Sequence, residues 1–193
     1  MSRIESPTYL KLSNVRLSYA HVWEPASIGN EANSTPKYSA SIIIPKSNKK
    51  ALADFEKAVK AAIEEGKHKK FNGKTPPLGA LKLPLRDGDV ERPDDEAYAG
   101  CMFFNASSKN RPQIVDQNVQ PVMDRAEVYS GCYVNISVNL YAFNTNGNRG
   151  VAAGLGNIQK LRDGEPLGGV ALKAEDEFET VSFDEAEEND FLN

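Results

Sequence analysis

Cysteine, histidine and tryptophan are scarce in this chain, and each shortage removes a class of function. Its 193 residues include two cysteines, two histidines and one tryptophan. Cys101 and Cys132 stand far apart in strand-like surroundings and match neither a C-x-x-C pair nor a zinc spacing, so buried thiols are expected and no metal ligands are assigned. No motif pairs His21 or His68 with a nucleophile, and no carboxylate cluster falls on strand ends as two-metal hydrolysis requires. The chain is therefore not expected to be an enzyme, and neither a catalytic residue nor a cofactor is assigned. Apolar runs of the roughly 18 residues that span a bilayer are missing too. The opening M-S-R-I-E-S-P-T-Y-L lacks the apolar core of a secretory signal, so an intracellular, soluble protein is expected.

Basic residues vanish after Lys173, where nine acids follow. That leaves 18 of the 27 acids for residues 1–173, against all 23 basic side chains. The body is thus net positive and the end strongly negative, a polarity found in proteins that handle nucleic acid. The expected organisation is one domain over residues 1–173 and an acidic, disordered tail over 174–193. Phe178, Val181, Phe183 and Phe191-Leu192 interrupt that tail, which a purely solubilising segment would not need.

What is present is mainly strand. Tyr129 to Phe143, Y-S-G-C-Y-V-N-I-S-V-N-L-Y-A-F, alternates cleanly: Val134, Ile136, Val138, Leu140 and Ala142 share a core face. Tyr133, Asn135, Ser137, Asn139, Tyr141 and Phe143 share the other. Rings beside amides make a platform on which bases stack, at about 1–3 kcal/mol each; an ordinary solvent-facing strand accounts for the same residues. Leu10 to Ala20 predicts a first strand with Val15, Leu17 and Tyr19 on one face and Asn14, Arg16 and Ser18 on the other. His21 to Pro36, with Trp23, reads as a long loop, and Lys37 to Pro45 as a second strand.

A helix is predicted from Ser47, its N-cap, to about Glu65, stopped by Gly66, with Leu52, Phe55, Val59 and Ile63 on one stripe. The lysines around Phe71 in K-H-K-K-F-N-G-K suit phosphate contact and equally answer the helix dipole. Thr75 to Ala99, rich in proline and acids, reads as a solvated loop, since Arg92 and Tyr98 stand where a calcium loop needs glycine and glutamate. Cys101 to Ser107 is a third strand with Phe103, Asn105 and Ser107 on its polar side, and Gln113 to Asp116 a short return strand. Asn146-Gly147 predicts a tight hairpin turn into a partner strand over Val151 to Leu161, whose Gly154 and Gly156 allow a bulge or close approach.

Five or six strands with one inserted helix fit a small closed or half-closed barrel. The segments N-V-R-L-S-Y-A, P-K-Y-S-A-S-I-I-I-P, the long Tyr129–Phe143 strand, G-L-G-N-I-Q with D-G-E-P-L-G-G, and F-D-E-A-E-E-N-D-F together resemble phage-encoded single-stranded DNA-binding proteins of the OB-fold type. The resemblance covers most of the chain. It implies a five- to six-stranded Greek-key OB barrel that binds single strands without strong sequence preference in replication and recombination, in the cytoplasm of the infected host. It also implies a tail that contacts phage or host replication proteins; a homodimer stands beside these as an open expectation. Here Leu192 and Asn193 follow Phe191, whereas many members end on the aromatic itself.

The site expected on this basis has Tyr133, Tyr141, Phe103 and Trp23 as stacking faces, and Asn135 and Asn139 holding backbone or base edges. Lys37, Lys109, Arg111, Arg125 and Arg149 make a track for phosphates. In the tail, Glu185, Glu187, Glu188, Asp190 and Phe191 are the interaction residues. The competing reading is a β-rich virion or adaptor module whose polar sheet face meets protein and binds no nucleic acid.

Overall fold

In the computed structural model, residues 3–27 and 34–168 are described. The long alternating segment forms β6 (Tyr133–Thr145), with Val134, Ile136, Val138, Leu140 and Ala142 buried as the period of two requires. Asn146 (φ 49°) and Gly147 (φ 81°) make the expected left-handed turn into β7 (Asn148–Arg162). One extra residue of β7 sits between the pairs Ile136–Ile158 and Val138–Leu155, the bulge that Gly156 permits.

The first strand, β1 (Tyr9–Ala26), is longer than its alternation predicts and runs through Trp23, so the following loop starts only after Ala26. It pairs with β6 through Arg16 and with β2 (Lys37–Pro45) from Arg16 onward. β2 pairs with the whole of β4 (Cys101–Ser108), from Tyr38 to Pro45. Closure comes from a short parallel pairing of β4 with β7, Ala106 with Ala153 and Ser107 with Gly154. The circuit β1-β2-β4-β7-β6 is a five-stranded OB barrel. The predicted return strand, β5 (Ile114–Val115), pairs with β7 and not with β4. Of the two thiols, Cys132 is buried as expected while Cys101 is half-exposed.

One helix, α1 (Lys49–Lys69), closes an end of the barrel with Phe55, Ala58, Val59, Ala62 and Ile63. Phe55 meets Phe104 at 4.6 Å between ring centres. Its cap is Asn48, whose side-chain oxygen accepts from Ala51 N at 3.2 Å, and not Ser47. Gly66 does not stop the helix. It lies inside, because a Cβ there would stand 2.3 Å from the Cβ of Ala142 on β6.

The stretch read as a solvated loop is a structured cap over β2 and β4. It holds β3 (Arg86–Asp87), α2 (Gly88–Glu91) and a 3-10 turn at Glu96–Tyr98. Lys46 Nζ draws it in, lying 2.7 Å from Asp87 Oδ1 and 2.6 Å from Asp89 Oδ2. Tyr98 is fully buried, edge-on to Phe103, and its hydroxyl lies 3.1 Å from Ser41 Oγ. Asp87, Asp89 and Glu91, acids of this stretch, thus serve Lys46, Arg86 and local caps.

Candidate nucleic-acid interface

The strand registers place one residue from each wall of the barrel in a single row. Asn139 on β6 pairs with Gly154 on β7, Gly154 with Ser107 on β4, Ser107 with Ser39 on β2, and Ser39 with His21 on β1. All five lie on the outer side of the barrel, His21 exposed, Asn139, Gly154 and Ser107 half-exposed and Ser39 buried; apart from His21 and Asn139 they are small, so the row is a shallow channel running across the strands. Four steps of about 4.8 Å make it roughly 19 Å long. A hollow lies over each half. One, of about 270 Å³, is lined by Tyr19, His21, Ser39, Ser41, Arg92 and Asn105, among others. The other, of about 420 Å³, is lined by Asn139, Tyr141, Gly154, Arg111, Asn110 and Ser108, among others.

An exposed ring stands at each hollow: Tyr19, 54% exposed, and Tyr141, 45% exposed. Alternation from Val15 and Leu17 predicts Tyr19 inside, and the structure overturns that. Between the pairs Ser18–Ser41 and His21–Ser39, β1 carries one residue more than β2, and Tyr19 takes a left-handed φ of 45°. The bulge exchanges the faces from Tyr19 onward, so Tyr19 points out, while Ser18, still in register with Ser41, is buried with it. Arg92 holds the ring, its Nη1 donating to Tyr19 Oη at 3.1 Å and its guanidinium carbon 5.2 Å from the ring centre. The same guanidinium lies over Tyr98 (5.4 Å) and Phe103 (5.7 Å). It is a cation fixed on the channel rim by three rings.

Of the residues expected from sequence, Asn139, Tyr141 and Arg111 come together in the larger hollow, and Lys109 is exposed in the turn beside them. Asn139 Oδ1 accepts from Thr8 Oγ1 at 3.1 Å. Lys37 shares the outer face of β2 with Ser39 and Ser41, at the end of the channel. Trp23 is half-buried, its Nε1 donating to Val128 O at 2.9 Å, with the Arg111 guanidinium 5.7 Å from its ring.

Several expected residues do not reach this channel. Phe103 is fully buried under the cap, beneath Arg86 (4.7 Å) and Arg92, so it offers no face to a base. Tyr133 is covered by the Arg162 guanidinium at 3.6 Å, with Arg16 at 5.5 Å. Asn135 is spent on structure: its Oδ1 accepts from Asn14 N at the other bulge of β1, and its Nδ2 donates to Gln159. Arg125 is paired with Glu24 at 2.6 Å. Arg149 lies at the hairpin end of the barrel, away from the row. Glu185, Glu187, Glu188, Asp190 and Phe191 lie outside the described residues. Sequence reasoning missed Tyr19, His21, Ser39, Ser41, Arg92, Asn105 and Ser107. For Ser39, Ser41, Asn105 and Ser107 the signal was the run of small polar residues at alternate positions of β2 and β4; Tyr19, His21 and Arg92 had none.

Residues 8–192 match the protein family described as Enterobacter phage Enc34, ssDNA-binding protein. The chain belongs to that family. A single-stranded DNA-binding protein from bacteriophage Enc34, solved in complex with ssDNA, is 27% identical, covering 83% of this chain and 90% of that one, with a TM-score of 0.69. Putative protein p50 of Acyrthosiphon pisum secondary endosymbiont phage 1 is 34% identical over 185 residues, 93% of this chain and 97% of that protein. The single-stranded DNA binding protein encoded by bacteriophage T7, at 17% identity and a TM-score of 0.51 over 90% of this chain, shares the fold. The Enc34 family is one of phage single-stranded DNA-binding proteins, and no helix among the described residues is long and apolar enough to cross a membrane.

Proposed function

We propose that this member of the Enc34 family coats single-stranded DNA by laying it across the barrel along the row from Asn139 to His21. Bases stack on Tyr19 and Tyr141, while Arg92, Arg111, Lys109 and Lys37 meet phosphates and the short polar side chains of the row accept any base edge. The observation that carries this reading is the row itself, a path across all five strands that is small at its centre and flanked by two exposed rings. Such a surface has few fixed donors and acceptors, so it favours unpaired DNA without strong sequence preference. Replacing Tyr19 with alanine removes one stacking platform, and Ser107→Glu puts a carboxylate in mid-channel. Each is expected to weaken oligothymidine binding by about 1–3 kcal/mol, or roughly 5- to 150-fold, in fluorescence anisotropy. Affinities within twofold of the parent for both variants, at unchanged melting temperature, would rule out the row.

The acidic tail is the regulatory half of the proposal: its carboxylates compete for the channel cations until DNA displaces them, and the freed tail recruits phage or host replication proteins. The place where the described chain ends supports this. Leu167 N donates to Ser130 O at 2.9 Å, Arg16 Nη2 to Glu165 O at 2.7 Å, and Leu167 packs on the Ile43, Tyr98 and Phe103 cluster over which Arg92 lies. The last described residues therefore finish beside the channel rim.

A further inference from the structure

Six cations of the described residues are paired with carboxylates: Lys46 by Asp87 and Asp89, Lys50 by Asp54, Lys67 by Glu64, Arg86 by Glu91, Arg125 by Glu24 and Lys160 by Asp163. Five that are not lie together. Lys69, Lys70, Lys74, Lys82 and Arg149 are all exposed, and among the described residues none of their side chains has a hydrogen bond or ion pair. Three separate segments bring them to one place. The helix exit is pinned to the β6–β7 hairpin by Asn144 Nδ2, which donates to Lys70 O at 3.0 Å. The connection after the helix is pinned to the same hairpin: Lys82 N donates to Arg149 O and Val151 N to Lys82 O, both at 2.9 Å. Gly150 makes that crossing possible, since a Cβ there would stand 2.2 Å from Lys82 O. Phe71, buried in the core, anchors the turn between them.

The helix dipole accounts for Lys69 and Lys70 but not for Lys74, Lys82 and Arg149, which belong to no helix. Concentrating unpaired like charges costs stability unless a polyanion visits. We propose that this cluster is a second, phosphate-only contact for nucleic acid, holding the strand after it leaves the channel. This rests on the channel reading. The channel ends at Asn139, and the outward face of β6 continues past Tyr141 and Phe143 to the hairpin, five residues and roughly 17 Å further on. DNA that passes Tyr141 and follows β6 arrives at the cluster. The five side chains are cations with no stacking ring, and Phe71 beside them is buried, so the cluster binds backbone and reads no base.

The test uses the full chain with three lysine or arginine positions neutralised together, Lys70→Gln, Lys82→Gln and Arg149→Gln, and two oligothymidines. One has about 6 nucleotides and the other about 16, near the two limits of what one OB barrel holds. The short strand should bind within twofold of the parent. The long strand should lose about tenfold, and its log–log salt slope should flatten by about 2, from three lost contacts at roughly 0.7 each. A control that removes equal charge from the outer helix face, Lys57→Gln with Lys60→Gln and Lys49→Gln, should leave both lengths unchanged. Equal loss at both lengths, loss in the control, or no loss with the long strand would overturn the proposal. Tyr19→Ala separates it from the channel reading, since that variant should weaken both lengths.

Discussion

Tyr19 stands out from the barrel because β1 fits one residue too many between Ser18 and His21, and Arg92 then holds the ring in place. Two further predictions belong to single side chains. Tyr98 is buried with its hydroxyl against Ser41 Oγ, so Tyr98→Phe leaves that serine unpaired beneath the channel. A loss of about 1–3 kcal/mol is expected in denaturant melts, with DNA affinity falling less than for Tyr19→Ala. Asp89 is held below its ordinary pKa by the hydrogen bond from Lys46 and then by that from Gly100 N; Lys46 is raised by its bonds to Asp87 and Asp89. A carboxyl depressed in the folded state stabilises above its unfolded pKa and loses that contribution as pH falls through the folded one. The melting-temperature gap between parent and Asp89→Asn should therefore be full at neutral pH and close as pH drops below about 4. A gap that persisted at pH 2 would show that the cap is not held by this charge. Raised Lys46 acts at the other end, its contribution fading only as pH climbs past the ordinary lysine value.

At the scale of elements, two contacts decide how the helix and hairpin close the barrel. Gly66 lets α1 lie against Ala142, and Asn144 ties the hairpin to the helix exit. Gly66→Val drives a branched side chain into β6, and packing costs of about 1–3 kcal/mol are expected from thermal unfolding. The core strands, the hairpin turn and the β7 bulge were legible beforehand because each rests on local pattern: period-two burial, Asn-Gly at a two-residue turn, and glycine at a bulge. The cap over residues 86–98 was not. Its acids and prolines resemble a solvated loop until Lys46, from the end of β2, comes within reach of Asp87 and Asp89.

For the whole molecule, the proposed regulation by the tail rests on the division between positive body and negative end. Twenty residues after Lys173 reach roughly 65 Å when extended, far enough to touch any part of a barrel this size. Truncation after Lys173 should tighten single-strand binding at low salt and extend it toward duplex, measured by anisotropy with matched oligonucleotides; unchanged affinity would remove the tail from regulation. Binding by the full chain should weaken with salt at about 0.7 log units per neutralised phosphate.

The sequence alone determined the strands, the helix and the acidic end, because hydrophobic period, turn chemistry and charge are carried by neighbours along the chain. It also placed Asn139, Tyr141 and Arg111, which the fold brings into one hollow. Which rings face outward was decided only by tertiary structure. Phe103 disappeared beneath a cap folded back from 86–98, half-exposed Tyr133 has its ring face covered by Arg162 from the end of β7, and Tyr19 emerged through a bulge that reverses inside and outside. The channel itself needs five strands in register, with Gly154 set beside Ser107 by a parallel pairing between residues 47 positions apart. No local pattern encodes that alignment; closure of the barrel does.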